Sequence, residues 1–151
     1  MSDLLKSFIK KAQRVSSLKK RGPKAKTWNV QVEYVSLQKM ARLNGQYRGK
    51  NKPTDVLSFP SPEPFFSAGF LGELVICEPV MKRQAKEQGH SLKHENEVLL
   101  VHGFLHLLGF DHEKSPSQAR VMAGWEKKLL GPDRGLITRV KSVRKGSRKR
   151  K

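Results

Sequence analysis

HGFLHLLGFDH, residues 102–112, is the stretch around which the fold of this 151-residue chain is organised. His102 and His106 are four residues apart, so on an α-helix their side chains lie one turn apart on the same face. Gly109 can adopt the positive φ that ends a helix, after which the chain can turn back and bring His112 to the same point. The spacing therefore predicts three imidazoles that converge on one site.

A metal ion is the best explanation for three converging imidazoles. Residues 97–108 are apolar nearly all round, which predicts a buried helix, and a lone histidine in such a helix is usually a satisfied core residue. Three buried imidazoles without a partner would instead carry an uncompensated desolvation cost. Three protein ligands with a fourth position open are typical of catalytic zinc, whereas structural zinc is usually closed by four cysteine-rich ligands.

The residues on either side predict an α+β domain. Apolar patterning indicates strands over 28–35, 54–59 and 70–77 and helices over 3–20, 36–43, 79–88, 91–108 and 116–130. Asn44-Gly45 is expected to end the second helix, so that residues 47–53 form an irregular turn. We expect a small mixed sheet of three to four strands covered by helices, with the metal site on a buried helix that ends in a glycine turn.

Charge divides the chain into a domain and a tail. The net charge is +18, of which residues 1–26 and 133–151 carry +8 each and the residues between them only +2. Residues 1–132 are expected to form one domain that starts with a basic amphipathic helix and linker over 1–26, and residues 133–151 a basic, disordered tail. Basic ends are typical of arms that bind nucleic acid, although a tail that only aids solubility has the same composition. The first helix can lie on a membrane or pack on the protein's own sheet, and the small domain favours the sheet.

The chain is expected to work in the cytoplasm and away from membranes. Cys77 is its one cysteine, which excludes an internal disulfide and fits a reducing compartment. No apolar run approaches the roughly 20 residues of a membrane span. Lys6, Lys10 and Lys11 interrupt the apolar residues near the amino terminus, and this pattern is not that of a signal peptide.

Three blocks of the sequence together resemble the YbeY family of bacterial zinc-dependent endoribonucleases. They are NGQYRGKNKPTDVLSFP at 44–60, LGELVI at 71–76 and HGFLHLLGFDHE at 102–113, and the match spans roughly residues 27–130. The resemblance implies a single-strand-specific endoribonuclease that acts in maturation of the 3′ end of small-subunit (16S) rRNA and in ribosome quality control. Its partners would be single-stranded RNA, rRNA and the small ribosomal subunit, with the basic termini in contact with RNA.

The resemblance also implies the site residues. It implies one zinc ion per chain held by His102, His106 and His112, and a functional arginine at Arg48. A guanidinium binds phosphate through two parallel hydrogen bonds and keeps its charge, which suits this role, although an ordinary exposed arginine in a turn would occupy the same position. The chain departs from the family in having Glu73 where Asp is frequent, Phe110 where Tyr is frequent, and no strand before the first helix.

The histidine spacing also equals that of metzincin proteases, whose motif is HExxHxxGxxH. In those enzymes the residue after the first histidine is the glutamate that activates water, and here it is Gly103. Met122, moreover, is predicted to lie in a helix rather than in a turn below the metal. Peptide hydrolysis is therefore the weaker hypothesis. Two alternatives to the endoribonuclease remain, a non-catalytic zinc-containing RNA-binding ribosome assembly factor and a metallo-hydrolase of another substrate.

Other polar residues have weaker cases for a role in the site. Asp111 can orient a histidine, act as a base or cap a helix. Glu95 can support a ligand from the preceding turns of the same helix, although helix capping or solvent exposure is the preferred interpretation. For Asp55 and Ser58, in a predicted strand, a structural role is as good an explanation as catalysis. His90 and His94 are expected on the polar surface.

Overall fold

A computed structural model describes residues 2–131 of the chain. Along the sequence the elements are α1 (Asp3–Gln13), α2 (Ser16–Lys19), β1 (Asn29–Val35), α3 (Leu37–Arg48), β2 (Val56–Pro60), β3 (Phe70–Cys77), α4 (Glu78–Gln88), α5 (Leu92–Leu107) and α6 (Pro116–Leu130). The predicted α+β class is confirmed. The predicted tail, residues 133–151, lies outside the described residues.

The strands of the described chain form one mixed sheet in the order β1-β3-β2. The central strand β3 pairs in parallel with β1 and antiparallel with β2, as a mixed sheet requires. A central strand covered on both faces needs apolar side chains on both, which explains why β3 reads FLGELVIC with little alternation. Its buried residues include Leu71, Leu74, Val75, Ile76 and Cys77.

Helices cover both faces of the sheet. On one face α1, α5 and α6 build the larger apolar cluster, which includes Trp28, Leu74, Phe104 and Met122. Because side chains alternate between the faces of a strand, Val75 points to the opposite face, where α3 and the start of α4 enclose a smaller cluster with Met40 and Val80. Strand β2 is at an edge of the sheet, where its Leu57 belongs to the smaller cluster and α5 packs against the strand.

Helix α5 is the central helix, and its side chains are buried nearly all round, as predicted. Its N-terminus is capped by Ser91, whose Oγ accepts a hydrogen bond from the N–H of His94 at 3.0 Å. Gly103 permits a close approach to the sheet, because a Cβ at this position would lie 2.8 Å from Cδ2 of Leu74. Ser58 Oγ on β2 donates a hydrogen bond to the carbonyl of Gly103 at 3.2 Å. The middle of α5 is thus held against both β2 and β3.

The predicted helix over 3–20 is two helices, which corrects the sequence analysis. Ser2 caps α1, and its Oγ accepts a hydrogen bond from the N–H of Leu5 at 3.3 Å. The chain leaves the helical conformation at Val15, with φ −104° and ψ 115°. In one continuous helix the side chains of Ala12 and Leu18 would point about 120° apart, because six residues turn the helix by about 600°. The break brings both side chains into the core, where each is fully buried.

The amphipathic α1 packs onto the protein itself, as expected, but not mainly onto the sheet. Its principal contacts are with α5 and α6. Leu5, Phe8 and Ile9 enter the larger core cluster, and Nζ of Lys11 donates a hydrogen bond to the carbonyl of Leu129 at 3.3 Å. Across residues 2–131, every helix falls short of the length and apolar character needed to cross a bilayer.

Helix α3 continues five residues beyond its predicted C-terminus, from residue 43 to Arg48. Asn44 and Gly45 lie inside the helix, and the C-cap is Gly49 with φ +71°. Gly45 is needed for space rather than for a turn, since a Cβ there would lie 1.8 Å from Oδ1 of Asn51 in the following loop. The buried Asn44 donates a hydrogen bond from Nδ2 to the carbonyl of Lys52 at 2.8 Å. These contacts fold the loop back onto the helix and place Arg48 on its last turn.

Candidate metal centre

Three imidazole nitrogens converge at the C-terminal end of α5, from His102, His106 and His112. Nε2 of His106 lies 3.2 Å from Nε2 of His102 and 3.2 Å from Nδ1 of His112. All three ligand atoms lie within 4.8 Å of one another. His102 is buried and the other two are partly exposed, so the cluster opens to solvent on one side. The structure brings together the three side chains whose spacing predicted that they would meet.

The separations between the nitrogens suit a metal ion better than a hydrogen-bond network. A neutral ring nitrogen carries either one proton or one lone pair, so Nε2 of His106 cannot form good hydrogen bonds to both neighbours. A tetrahedral zinc ion with Zn–N distances of about 2.0–2.1 Å places its ligands about 3.3–3.4 Å apart. The two observed separations of 3.2 Å are close to this value. The three histidines can therefore hold a divalent ion of this size.

A tight turn returns His112 to the cluster. Gly109 has φ +92°, a conformation that side chains disfavour, and it follows directly on the C-cap of α5. Two residues later, Oδ1 of Asp111 accepts a hydrogen bond from the N–H of Glu113 at 2.9 Å. The two residues on either side of His112 are thereby tied to each other. Asp111 thus shapes the turn that presents the third histidine.

Arg21 holds this turn from outside. Its Nη1 donates a hydrogen bond to the carbonyl of Leu108 at 3.4 Å, at the C-terminal end of α5. Its guanidinium carbon lies 3.7 Å from the centre of the Phe110 ring, the geometry of a cation–π contact. One of the basic residues of the 1–26 segment therefore supports the metal centre rather than extending into solvent. The ring of Phe110 provides the face for that contact.

Glu126 on α6 is a site residue that was not predicted from the sequence. Its Oε2 lies 3.3 Å from Nδ1 of His102, and the carboxylate is buried. A carboxylate here favours the tautomer with the proton on Nδ1, which leaves the Nε2 lone pair directed at the other two histidines. The sequence contains a sign of this role, because Glu126 lies on the same helical face as the apolar residues Met122 and Leu129.

Replacing Glu126 by glutamine is expected to weaken metal binding by about 10- to 100-fold, because the amide keeps the shape of the side chain but loses the charge that orients and polarises the ring. Titration of metal-stripped protein against a competing chromophoric chelator measures this affinity. Glu87→Gln on the exposed face of α4 is the matched control. An unchanged affinity in Glu126→Gln, with only a lower melting temperature, would mean that Glu126 is a purely structural residue.

Gly103 explains why the metzincin arrangement cannot operate in this fold. The direction of a Cβ at this position leads to the side chain of Leu74 on β3, not to the three ligand atoms. A glutamate there would have to displace the sheet rather than reach the metal. Met122 is fully buried within α6, as predicted, and forms no turn beneath the site. Both observations argue against a protease of that type.

Arg48 lies beside the metal centre. Its Nη2 is 3.2 Å from Oε1 of Glu113, which directly follows His112 in the chain. The side chains of Arg48 and Glu113 are 34% and 61% exposed, and a pair this accessible contributes about 0–1 kcal/mol. The contact therefore holds the guanidinium only weakly, and its donors stay accessible to another acceptor.

Among the remaining candidates, Glu95 and the two other histidines are placed differently from the expectation, whereas Asp55 is not. Glu95 was expected at the solvent surface but is 0% exposed, because α4 packs across the first turns of α5. His90 and His94 are half-buried and lie with ring centres 4.2 Å apart, so they are not ordinary surface residues. Asp55 Oδ1 accepts a hydrogen bond from the N–H of Val56 at 2.7 Å, in keeping with a structural role.

Two pKa values outside the metal centre are shifted by their surroundings. Burial raises the pKa of Tyr34, and the hydrogen bond between its hydroxyl and Asn96 opposes that shift. Hydrogen bonds from the hydroxyl and the N–H of Ser67 lower the pKa of Glu63. Tyr34 lies on β1 and Glu63 in the loop after β2, so neither is among the residues that shape the cluster.

Comparison with known proteins gives consistent matches. The family described as Endoribonuclease YbeY matches residues 2–132. The Endoribonuclease YbeY of Aquifex aeolicus is 47% identical over 93 residues, which cover 62% of this chain and 62% of that protein. Its counterpart in Acinetobacter baumannii is 49% identical over 104 residues, covering 66% of each. The matched part thus spans slightly less than two thirds of these relatives.

A solved structure is also similar. The solution structure of TM1509 from Thermotoga maritima superposes with a TM-score of 0.52 at 31% sequence identity. The superposition covers 84% of this chain and 79% of that one. The likeness therefore extends well beyond the histidine motif, to most of the described elements.

Proposed function

This chain belongs to the YbeY family of endoribonucleases, and from that premise we propose that it is a zinc-dependent endoribonuclease that cleaves single-stranded RNA. The observation that carries the proposal is the convergence of three histidine nitrogens at the open end of a buried helix. An open cluster of this kind suits catalysis, since structural zinc sites are normally closed by four ligands. RNA cleavage also requires cationic groups near the metal, and the ion pair of Arg48 with Glu113, the residue after His112, supports this role for Arg48.

In the proposed reaction the three histidines, Glu126 and Arg48 have different roles. His102, His106 and His112 hold the zinc ion, and Glu126 orients His102. When bound, zinc supplies Lewis acidity, which allows phosphodiester hydrolysis near neutral pH without a dedicated carboxylate base. Arg48 binds the phosphate and offsets the negative charge that builds on its oxygens during cleavage.

The substrate is the 3′ end of small-subunit (16S) rRNA, and the protein acts on the small ribosomal subunit in the cytoplasm. Residues 1–132 form the catalytic domain. The outer face of α1 supports contact with a polyanion, since Lys6, Lys10 and Arg14 are exposed there. A single buried cysteine, Cys77, is compatible with a reducing compartment.

Metal removal tests this proposal. The protein is expected to cleave a single-stranded RNA carrying the 3′ end of 16S precursor rRNA, and the same RNA within small subunits, but not the RNA annealed to its complement. Stripping with a chelator should abolish cleavage, and one equivalent of zinc should restore it more fully than magnesium, because imidazole ligands favour zinc.

Two outcomes would contradict the proposal. Cleavage that survives metal removal would exclude the histidine cluster from the reaction. A zinc-loaded protein that binds the RNA and the small subunit but cuts neither would support the non-catalytic assembly factor instead. A panel of unstructured peptides, offered to the same zinc-loaded preparation, checks the remaining alternative of another hydrolase.

A further inference from the structure

Helix α3 and the loop after it form a basic segment, and Arg48 in this segment pairs with the residue that follows His112. Residues 37–54 contain five Lys or Arg and no Asp or Glu, although the region from 27 to 132 is nearly neutral as a whole. Two of the five, Lys39 and Arg48, pair with acidic side chains of neighbouring segments. The other three are exposed, namely Arg42, Lys50 and Lys52. An RNA backbone that approaches the centre from this side meets mainly positive charge.

Tyr47 stands within this segment with its ring largely in solvent. The residue is 61% exposed, more than any other large hydrophobic side chain of residues 2–131. Its ring meets the ring of Phe59 on β2 edge to face, with centres 4.9 Å apart and an interplanar angle of 67°. Phe59 packs in turn against the smaller core cluster. Scattered exposed hydrophobics need no explanation, but this ring is braced from behind and presents an open face.

The open ring is adjacent to the phosphate-binding arginine. Tyr47 precedes Arg48 on the last turn of α3, and Arg48 reaches Glu113, the residue after His112. A nucleotide whose phosphate is held by Arg48 therefore has its own base, or that of its neighbour, within reach of the tyrosine. Proteins that bind single-stranded nucleic acid usually combine basic side chains, which contact the backbone, with exposed aromatic rings, on which bases stack.

We infer that Tyr47 is a stacking platform for an unpaired base of the RNA, next to the phosphate at Arg48. The inference rests on the proposed function and adds to it a physical source of selectivity for single strands. A base inside an A-form helix is already stacked on both faces, so only an unpaired base can cover the tyrosine ring. The contact is indifferent to base identity, because every base has a π-face.

Substitution of Tyr47 tests the inference through binding rather than chemistry. In Tyr47→Ala the KM for a single-stranded RNA should rise about 5- to 100-fold, the effect of losing one stacked base. Tyr47→Phe should restore it, because stacking needs the ring and not the hydroxyl. Zinc content should stay at the wild-type level in both. Tyr34→Ala is the control, since Tyr34 is 44% exposed on β1, across the sheet from β2.

A fluorescent variant reports the stacking directly. In Tyr47→Trp, added RNA should quench the new indole within the first seconds, before appreciable cleavage. The same ribose-phosphate chain with the bases removed should not quench it, although its charge is equal. Tyr34→Trp should show no quenching by either.

The outcomes separate this inference from the function on which it rests. If the wild-type protein cleaves single-stranded RNA and Tyr47→Ala does so with an unchanged KM, the stacking platform is refuted and the proposed function stands. Equal quenching by the baseless chain would likewise refute it, as only the backbone would then be bound. If the wild-type protein neither binds nor cleaves the RNA, the proposed function itself has failed.

Discussion

Replacing His106 by alanine is expected to abolish both metal binding and RNA cleavage while the protein stays folded. Its Nε2 is the atom that lies 3.2 Å from each of the other two ligand atoms, so the variant retains only two ligands. Loss of an outer partner of a ligand already costs about 10- to 100-fold in metal affinity, and loss of the ligand itself should exceed about a hundredfold. Cleavage should fall below detection at equal protein concentration.

His106 is a better choice than His102 for this experiment. His106 is partly exposed, whereas His102 is buried against Glu126, where truncation would leave a buried carboxylate without this contact. The measurements are zinc per chain, the rate of cleavage of one single-stranded RNA, and the melting temperature of the metal-free forms. His94→Ala, on the first turn of α5, is the matched control and should keep zinc and activity. Cleavage by His106→Ala at the wild-type rate would assign the activity to another site or to a contaminating nuclease.

Arg48→Lys is expected to lower kcat by about 100-fold with a smaller change in KM. The lysine keeps the positive charge but loses the two parallel donors that match a phosphate, and a donor that acts mainly on the transition state is worth about 10²- to 10³-fold in kcat. Steady-state kinetics on a defined single-stranded RNA separate the two parameters. Zinc content should be unchanged, because Arg48 pairs with Glu113 and is not one of the three histidines that supply the ligand atoms.

Two further variants distinguish catalysis from structure at this position. If Arg48 acted only by tethering the turn through its ion pair, Glu113→Gln would reproduce the loss of kcat. We expect Glu113→Gln to keep most of the activity, because the exposed pair contributes little to stability. Arg83→Lys on the exposed face of α4 controls for the general effect of the substitution. A kcat for Arg48→Lys equal to that of Arg83→Lys would remove Arg48 from the mechanism.

The histidine cluster could be predicted because its geometry is local. Four residues of helix, a glycine that reverses the chain and a third histidine are all contained in residues 102–112. The same holds for β3 and α6, whose observed bounds equal the predicted ones. In each case the period of the apolar residues and the capping or turn residues at the ends indicate the same element.

The predictions failed where a distant contact overrides a local rule. The pair Asn44-Gly45 is typical of a helix end, yet both residues lie inside α3. Gly45 leaves space for the side chain of Asn51, because the next loop folds back onto the helix. Glu95 is a charged residue of the kind expected at the surface, yet it is fully buried at the end of α5 that follows α4, and these two helices pack together. Neither the loop path nor the helix packing can be read from the periodicity of one segment.

Glu126 lies 14 residues beyond the last histidine of the cluster, on a different helix. During synthesis all three ligands therefore emerge from the ribosome before the helix that orients the first of them emerges. All three ligand residues are therefore available before Glu126 has reached His102, and tight metal binding is expected only after α6 has docked. We therefore expect metal uptake to be a late event in the maturation of this protein, after its last described helix has reached its place.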